Sequence, residues 1–259
     1  MSEQPKNRDE IADAFTLFGF WTSRGVDISL NALLTVLQKH GVKTAATITT
    51  TGIFSDFALG NQRTIAACKE NPALIPIATL DPRRHLGCEQ ALQQAIQQGC
   101  WLFGLFPETQ GWLADRHSLG SLVRGVLDAG AVLMVEAAQQ GAPGRVAQAS
   151  ADAAGPEKQV ILLGVNYRNL GEALSVMKEC PWIGLCTHSL TSVGAIEVAC
   201  EQVGPNRLFF GSRVPLNYFS SAYLRVRYSG LSKADMRAVL CDNFLSLCKR
   251  HARAAHADD

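Results

Sequence analysis

The sequence predicts a (β/α)8 barrel, the TIM-barrel fold, with extra helices after the last strand. Three observations support this fold class. Eight short apolar runs rich in β-forming residues alternate with segments of helical spacing. The starts of these runs are roughly 22 to 33 residues apart, which suits one strand with its crossover helix. The runs are apolar throughout, as is typical of parallel strands that are buried on both faces.

Each predicted strand stops at turn-forming or polar residues. The eight strands are expected at residues 11–18, 44–50, 74–80, 101–106, 132–137, 160–165, 182–187 and 208–211. A doubly wound open sheet is the main alternative, but it would carry fewer strands and a Gly-rich phosphate turn after the first. Neither GxGxxG nor GxxxxGK[ST] occurs in the sequence, so the barrel is favoured.

Helical segments separate the strands, and several stop at a glycine such as Gly41 or Gly130. Seven crossover helices are expected at residues 29–40, 61–70, 88–98, 119–129, 145–153, 169–180 and 192–203. The tail from 218 to 255 contains two more helical stretches, with Ser232 and Asp235 placed to cap the second. We expect one barrel domain over residues 1–259.

Composition argues against nucleic-acid and membrane partners and favours a reducing cellular compartment. The 24 Lys and Arg residues nearly balance the 23 Asp and Glu residues, and a net charge of +1 gives no overall attraction for nucleic acid. No apolar run is long enough for a membrane span, so no membrane partner is expected. The eight cysteines are scattered and include no CxxC pair, which indicates reduced, packed thiols and a cytoplasmic protein.

In a barrel of this type the active site lies at the C-terminal ends of the strands. The polar residues predicted to reach a pocket there are Asp13, Glu108, Glu136, Asn166, His188 and Arg213. Each also has a structural explanation. Asp13 could accept hydrogen bonds from backbone amides, Glu108 could begin a helix after Pro107, Asn166 could start the next loop, and His188 could be a structural hydrogen-bonding residue.

Several segments together resemble one family over nearly the whole chain. They are IADAFTLFG at the first strand, IPIATLDPR at the third, GLFPETQGW at the fourth, GAVLMVEA at the fifth and NRLFFGSRVP at the eighth. In this order and spacing they resemble the amidohydrolase-related branch (amidohydrolase 2) of the amidohydrolase superfamily. The resemblance implies a TIM barrel related to metal-dependent hydrolases, decarboxylases and lactonases.

The resemblance also implies a metal site that this sequence does not complete. In the family, histidines from strands 1, 5 and often 6, with an aspartate from strand 8, hold a divalent ion that activates water. The corresponding positions here are Phe15, Leu17, Glu136, Gly164 and Arg213. Arg213 adds a permanent positive charge, and two unit charges about 4 Å apart repel by about 4 kcal/mol at an effective dielectric constant of about 20.

Because this ligand set is lost, we expect no metal and no cofactor. We interpret the chain as a non-catalytic relative of these enzymes, without catalytic residues of its own. Its predicted role is that of a partner or regulatory subunit of an active amidohydrolase-like homologue or a pathway enzyme. A homo- or hetero-oligomer is expected, because a degenerate copy can keep an interface after it has lost the site.

The alternative is a metal-independent hydrolase or lactonase that acts on a small anionic substrate. Arg213 would anchor that substrate, and Glu136 or His188 would be the general base. We also predict an ion pair between Glu136 and Arg213, because the relatives place one shared ion at these positions. An open polar pocket around Arg213 would favour this alternative, whereas a pocket plugged by Phe15 and Leu17 would favour the partner role.

Overall fold

The computed structural model of the chain describes residues 9–255, apart from 22, 24, 85, 86, 115, 154 and 156. Eight parallel strands pair in sequence order, from β1 beside β2 to β7 beside β8. They are β1 Ala12–Phe18, β2 Thr44–Thr49, β3 Leu74–Thr79, β4 Leu102–Leu105, β5 Val132–Glu136, β6 Val160–Leu163, β7 Ile183–Cys186 and β8 Leu208–Phe209. The predicted barrel fold is confirmed, and most strands are one or two residues shorter than predicted.

Backbone hydrogen bonds close the barrel between β1 and the segment that begins at β8. The amide of Ala14 donates to the carbonyl of Phe210 at 2.7 Å, and the amide of Arg213 donates to the carbonyl of Phe15 at 2.8 Å. This seam brings Phe15 and Arg213 together at the C-terminal end of the barrel, which is where the sequence predicts the site.

Helices follow the strands around the barrel. They are α1 Leu30–His40, α2 Thr50–Phe54, α3 Phe57–Glu70, α4 Cys88–Gln97, α5 Pro107–Gln110, α6 Arg116–Asp128, α7 Ala142–Ser150, α8 Leu170–Glu179, α9 Ala195–Val203, α10 Phe219–Arg227, α11 Lys233–Arg237 and α12 Asn243–Ala255. All seven predicted crossover helices are present. The prediction missed the short helices α2 and α5, and a π-helical turn at Ala238–Asp242 joins α11 to α12.

Helix ends follow the predicted capping residues. The side chain of Ser232 accepts a hydrogen bond from the amide of Asp235 at the start of α11, and the Ser232 hydroxyl donates to the Asp235 carboxylate. Gly41 ends α1 in the left-handed conformation, with φ of 70°. Local sequence signals thus fix where these helices begin and end.

The core has two layers. One lies between the strands and the surrounding helices, and the other fills the barrel interior with side chains such as Leu17, Ile77, Met134 and Ile161. The filled interior leaves the C-terminal mouth as the place for a site. No helix in the described ranges combines the length and the apolar character that a membrane crossing requires.

Candidate active site

A cavity of about 380 Å³ opens at the C-terminal ends of the strands. Its wall combines apolar and polar side chains from the loops after most of the strands. The lining residues are Phe15, Leu17, Trp21, Ile53, Phe106, Thr109, Glu136, Ala138, Leu163, Gly164, Asn166, Tyr167, His188, Ser189, Thr191, Arg213 and Asn217. A cavity of this size can hold a small organic molecule.

The structure brings together four of the six predicted pocket residues, namely Glu136, Asn166, His188 and Arg213. Phe15, Leu17 and Gly164, three positions that the sequence resemblance aligns with metal ligands, lie in the same wall. Phe15 and Leu17 line the cavity but do not plug it. The cavity is open, and the Arg213 guanidinium lies in its wall against the ring of Trp21.

Asp13 was predicted to reach the pocket, and this prediction is wrong. Its side chain is fully buried, and Oδ1 accepts hydrogen bonds from the amides of Phe15 at 3.1 Å and Ser212 at 3.0 Å. Among the residues that the structure describes, Oδ2 finds no hydrogen-bond partner. Burial raises the pKa of Asp13 to about 7, and the hydrogen bonds from Ser212 and Phe15 oppose that rise. Asp13 holds β1 against the strand-8 loop instead.

Glu108 also lies outside the cavity wall, contrary to the prediction. Its carboxylate accepts a hydrogen bond from the amide of Gln139 at 2.8 Å, in the loop after β5. Partial burial raises the pKa of Glu108, and the nearby charge of Glu136 adds to the rise, whereas the Gln139 hydrogen bond opposes it. The side chain thus ties two rim loops together, and the helix-starting explanation is closer to what α5 shows.

Glu136 stands at the C-terminal end of β5, and Thr109 contacts both of its carboxylate oxygens. The Thr109 amide donates to Oε2 at 2.7 Å, and the Thr109 hydroxyl donates to Oε1 at 2.6 Å. The predicted ion pair with Arg213 is wrong, because none of the ion pairs between described residues joins the two side chains. The two hydrogen bonds from Thr109, in helix α5 after β4, orient the Glu136 carboxylate instead.

Arg213 follows β8 and supplies a permanent cation to the cavity. Its guanidinium carbon lies 5.1 Å from the ring centre of Trp21, a cation–π contact. Its backbone has a φ of 58°, a left-handed conformation that costs a non-glycine residue about 1 kcal/mol. The hydrogen bond from the Arg213 amide to the Phe15 carbonyl at the seam holds this conformation in place. Strained residues of this type are concentrated at functional sites.

His188 lines the cavity just after β7, and its Nδ1 lies 3.3 Å from Sγ of Cys186. Burial lowers the pKa of His188 to about 3, and the charges of Arg213 and Arg225 lower it in the same direction. Burial also raises the pKa of Cys186 to about 12. A neutral imidazole and a neutral thiol are therefore present at pH 7, and the thiol is not an activated nucleophile.

Aromatic rings cover one side of the cavity. Phe15 and Phe106 stack with ring centres 6.3 Å apart, and Phe15 is also in contact with the ring of His188 at 5.1 Å. Across the wall, Asn166 donates from its side-chain amide to the carbonyls of Ala138 and Gly164. The amide side chain of Asn166 therefore serves mainly to join the strand-5 and strand-6 loops.

Some lining residues were missed by the sequence analysis, chiefly Thr109, Ile53, Ser189, Thr191 and Asn217. Thr109 had a usable signal, since it follows the strand-4 residue Phe106 by three positions in PETQ. Ile53 lies in the short helix α2, which the prediction missed. Ser189, Thr191 and Asn217 lie in the connections after β7 and β8, where hydroxyl and amide residues are common, so nothing in their local sequence distinguishes a cavity residue from a solvent-exposed one.

The positions that the sequence resemblance aligns with metal ligands do not together fit a divalent ion. Phe15, Leu17 and Gly164 offer no lone pair, Arg213 brings a competing positive charge, and Glu136 alone supplies a carboxylate. Across the described ranges, no group of three or more His, Cys, Asp and Glu residues is arranged to hold a metal. The charged groups of the cavity lining are the Glu136 carboxylate and the Arg213 guanidinium, and the neutral His188 imidazole lies in the same wall.

No protein-family model and no curated protein matches the chain. Solved structures do match it. A 5-carboxyvanillate decarboxylase from Sphingomonas paucimobilis is 13% identical, with a TM-score of 0.67 over 90% of this chain and 97% of that one. A dihydroxybenzoic acid decarboxylase from Polaromonas, solved with manganese and 2-nitroresorcinol, is 12% identical, with a TM-score of 0.69 over 93% and 97%.

A third match is a Staphylococcus aureus protein assigned to the amidohydrolases, which is 8% identical. Its TM-score is 0.64 over 81% of this chain and 88% of that one. At identities this low the likeness concerns the fold alone. The structural neighbours are thus TIM barrels of the amidohydrolase type, which agrees with the resemblance seen in the sequence.

Proposed function

We propose that this protein is a metal-independent enzyme that acts on a small anionic substrate, as a hydrolase or lactonase. The observation that carries the proposal is the placement of Arg213, Glu136 and His188 around one open cavity at the barrel mouth. A cation, a carboxylate and a neutral imidazole in one wall provide an anchor, a base and a hydrogen-bonding group.

Arg213 is the proposed anchor. A guanidinium presents parallel N–H donors that match the two oxygens of a carboxylate, and such bonds are stronger than those between neutral groups. The left-handed backbone at Arg213 and its packing on Trp21 restrict where the side chain can go. An anchor that is already ordered loses little conformational entropy when it binds a ligand.

Glu136 is the better of the two candidate bases. The low pKa of His188 means that its imidazole binds a proton only in strong acid, which makes it a weak proton acceptor at neutral pH. The carboxylate of Glu136 is half-buried at the cavity wall and is oriented by Thr109. His188 is left as a neutral hydrogen-bonding partner for a polarised oxygen.

In a lactone substrate, Glu136 takes a proton from water as the water oxygen bonds to the carbonyl carbon. The ring C–O bond then breaks, and the leaving alkoxide receives that proton. The product is a hydroxy acid, and the carboxylate of Glu136 is regenerated. Arg213 holds a second, unreactive carboxylate of the substrate during these steps, so the anion fixes the position of the reacting carbonyl.

The neighbours support a substrate of modest size, because two of them are decarboxylases of aromatic acids. The stacked rings of Phe15 and Phe106 suit a flat ligand. The non-catalytic partner role, with a homologous or other protein as partner, remains a prediction that the open cavity does not favour. The cytoplasmic location is likewise still a prediction.

The first experiment measures binding and turnover in protein treated with a chelator. Calorimetry with benzoate, hydroxybenzoates and small lactone carboxylates gives affinities, and NMR detects hydrolysis or release of carbon dioxide. Arg213→Asn removes the cation but suits the left-handed backbone, and it should weaken anion binding at least tenfold. Arg168→Gln removes a rim cation that does not line the cavity, and its affinity should stay within twofold.

Glu136→Gln should abolish hydrolysis while anion binding remains, because the amide cannot accept the proton. Turnover that appears only after a divalent metal is added would contradict the metal-independent mechanism. Equal losses of affinity in Arg213→Asn and Arg168→Gln would show general charge attraction instead of an anchor.

A further inference from the structure

The orientation of the Glu136 carboxylate depends on one neighbouring residue. Within the described part of the chain, both hydrogen bonds to this side chain come from Thr109, one from its amide and one from its hydroxyl. They reach different oxygens, at 2.7 Å and 2.6 Å. Two bonds to two oxygens fix both the position and the plane of the carboxylate, which a single bond would not do.

Thr109 is itself held in place by its helix. It lies in α5, which follows β4 without an intervening loop. The next residue, Gln110, is buried and donates from its side-chain amide to the carbonyl of Ile53 at 3.2 Å. The Gln110 side chain also accepts from the Trp112 indole at 2.8 Å, and its backbone carbonyl accepts from Arg83. These bonds fix α5 relative to the loops after β2 and β3.

The hydroxyl of Thr109 also lines the cavity beside the carboxylate that it contacts. Each Glu136 oxygen has more than one lone-pair direction, and Thr109 occupies one on each. The remaining directions are left for a substrate or water. This arrangement lets the carboxylate stay oriented while it accepts a proton from the cavity side.

We propose that Thr109 is the positioning residue of Glu136, which sets the direction of the carboxylate. The proposal rests on the proposed function for its catalytic consequence, but the geometric part concerns the two side chains alone. Loss of the Thr109 hydroxyl removes the hydrogen bond to Oε1 and leaves only the amide hydrogen bond to Oε2. The carboxylate should therefore be less well aligned with the cavity.

The test compares Thr109→Val with Thr109→Ser. Valine keeps the shape and the backbone amide but loses the hydroxyl, whereas serine keeps the hydroxyl. Crystal structures of the wild type and both variants show how the Glu136 carboxylate is oriented. In Thr109→Val the carboxylate should leave its wild-type plane, because only the amide hydrogen bond to Oε2 remains. In Thr109→Ser it should superpose on the wild type.

Kinetics supply the catalytic half of the test. In Thr109→Val, kcat should fall about tenfold with KM within about twofold, because Arg213 still anchors the substrate. Thr109→Ser should restore kcat. A carboxylate that keeps its wild-type orientation in Thr109→Val would overturn the positioning role, and so would a changed orientation with unchanged kcat.

The structural and kinetic measurements distinguish the two proposals. A reoriented carboxylate in Thr109→Val, in a protein that neither binds nor turns over any compound of the panel, would support the positioning contact and reject the proposed function. A protein that binds and hydrolyses its substrate with an unmoved carboxylate in Thr109→Val would support the function and reject the role of Thr109.

Discussion

Nδ1 of His188 lies 3.3 Å from Sγ of Cys186, and both side chains are buried. Burial shifts the two groups in opposite directions, to a pKa of about 3 for His188 and about 12 for Cys186. Both therefore keep their neutral forms across the pH range in which enzymes usually work. His188 is thus an uncharged part of the cavity wall, in contact with the neutral Cys186 thiol.

The first prediction concerns the protonation state of His188. ¹⁵N NMR of the imidazole nitrogens, assigned with His188→Gln, should show a neutral ring from about pH 5 to pH 8. The pH profile of turnover should accordingly lack a limb near the ordinary histidine pKa. A titration of His188 close to pH 6.5 would mean that the ring is more solvated than the structure shows.

The second prediction concerns Asp13 and stability. The folded-state pKa of Asp13 is raised from 3.8 to about 7, so the folded protein holds this proton more tightly than the unfolded chain does. The resulting stabilisation is complete below pH 3.8 and is lost as the pH rises through 7. At pH 8 the ionised form costs up to ~4 kcal/mol relative to a neutral side chain.

Asp13→Asn keeps an oxygen that can accept the amide hydrogen bonds of Phe15 and Ser212. Urea unfolding at several pH values should show that the variant gains stability relative to the wild type as the pH rises from 5 to 8. A difference between the two proteins that does not change with pH would show that Asp13 titrates at its ordinary pKa in the folded state.

The third prediction concerns the backbone at Arg213. Arg213→Gly and Arg213→Ala both remove the cation and the packing on Trp21, but only glycine relieves the left-handed strain at φ 58°. The free energy of unfolding should be about 1 kcal/mol higher for the glycine variant than for the alanine variant. Both should bind small carboxylates at least tenfold more weakly than the wild type.

Urea unfolding of the two variants and calorimetry with benzoate provide these comparisons. Equal stabilities would indicate that the strand-8 loop relaxes when the arginine is removed. Unchanged affinity in both variants would remove Arg213 from its role as the anchor.

The fourth prediction concerns metal content. Phe15, Leu17, Gly164 and Arg213 stand at positions that the sequence resemblance aligns with metal ligands. Because none of these side chains can bind a divalent ion, protein purified without a chelator should contain far less than one equivalent of zinc, manganese or iron. Elemental analysis provides the measurement. One bound ion per chain that survives dialysis would show that side chains outside these positions form a site.

Much of the fold could be predicted from the sequence, because each strand is a continuous apolar run and the apolar residues of each crossover helix recur at helical spacing. The short helices α2 and α5 were missed, since four or five residues are too few for a period to appear. The site was predicted in part. Glu136, His188 and Arg213 all lie at the C-terminal ends of their strands or just after them. Because the C-terminal ends of all barrel strands lie at the same face, the topology brings these three residues to one cavity.

The orientation of individual side chains could not be predicted. Asp13 and Glu136 were both predicted to reach the pocket. Asp13 is the second residue of β1 and turns toward backbone amides within the seam, whereas Glu136 is the last residue of β5 and turns toward the cavity. That choice depends on which donors lie nearby in space, and Thr109 is 27 residues from Glu136 in the chain. The predicted pair of Glu136 with Arg213 failed for the same reason.

A crystal structure with 4-bromobenzoate, grown in the presence of Mn²⁺, tests the metal-independent anion site most directly. Anomalous scattering locates bromine and manganese independently. We expect bromine in the cavity, the carboxylate within about 3 Å of the Arg213 guanidinium, and no manganese in the cavity. Manganese bound between Glu136 and the ligand, or a carboxylate directed away from Arg213, would contradict the metal-independent anion site.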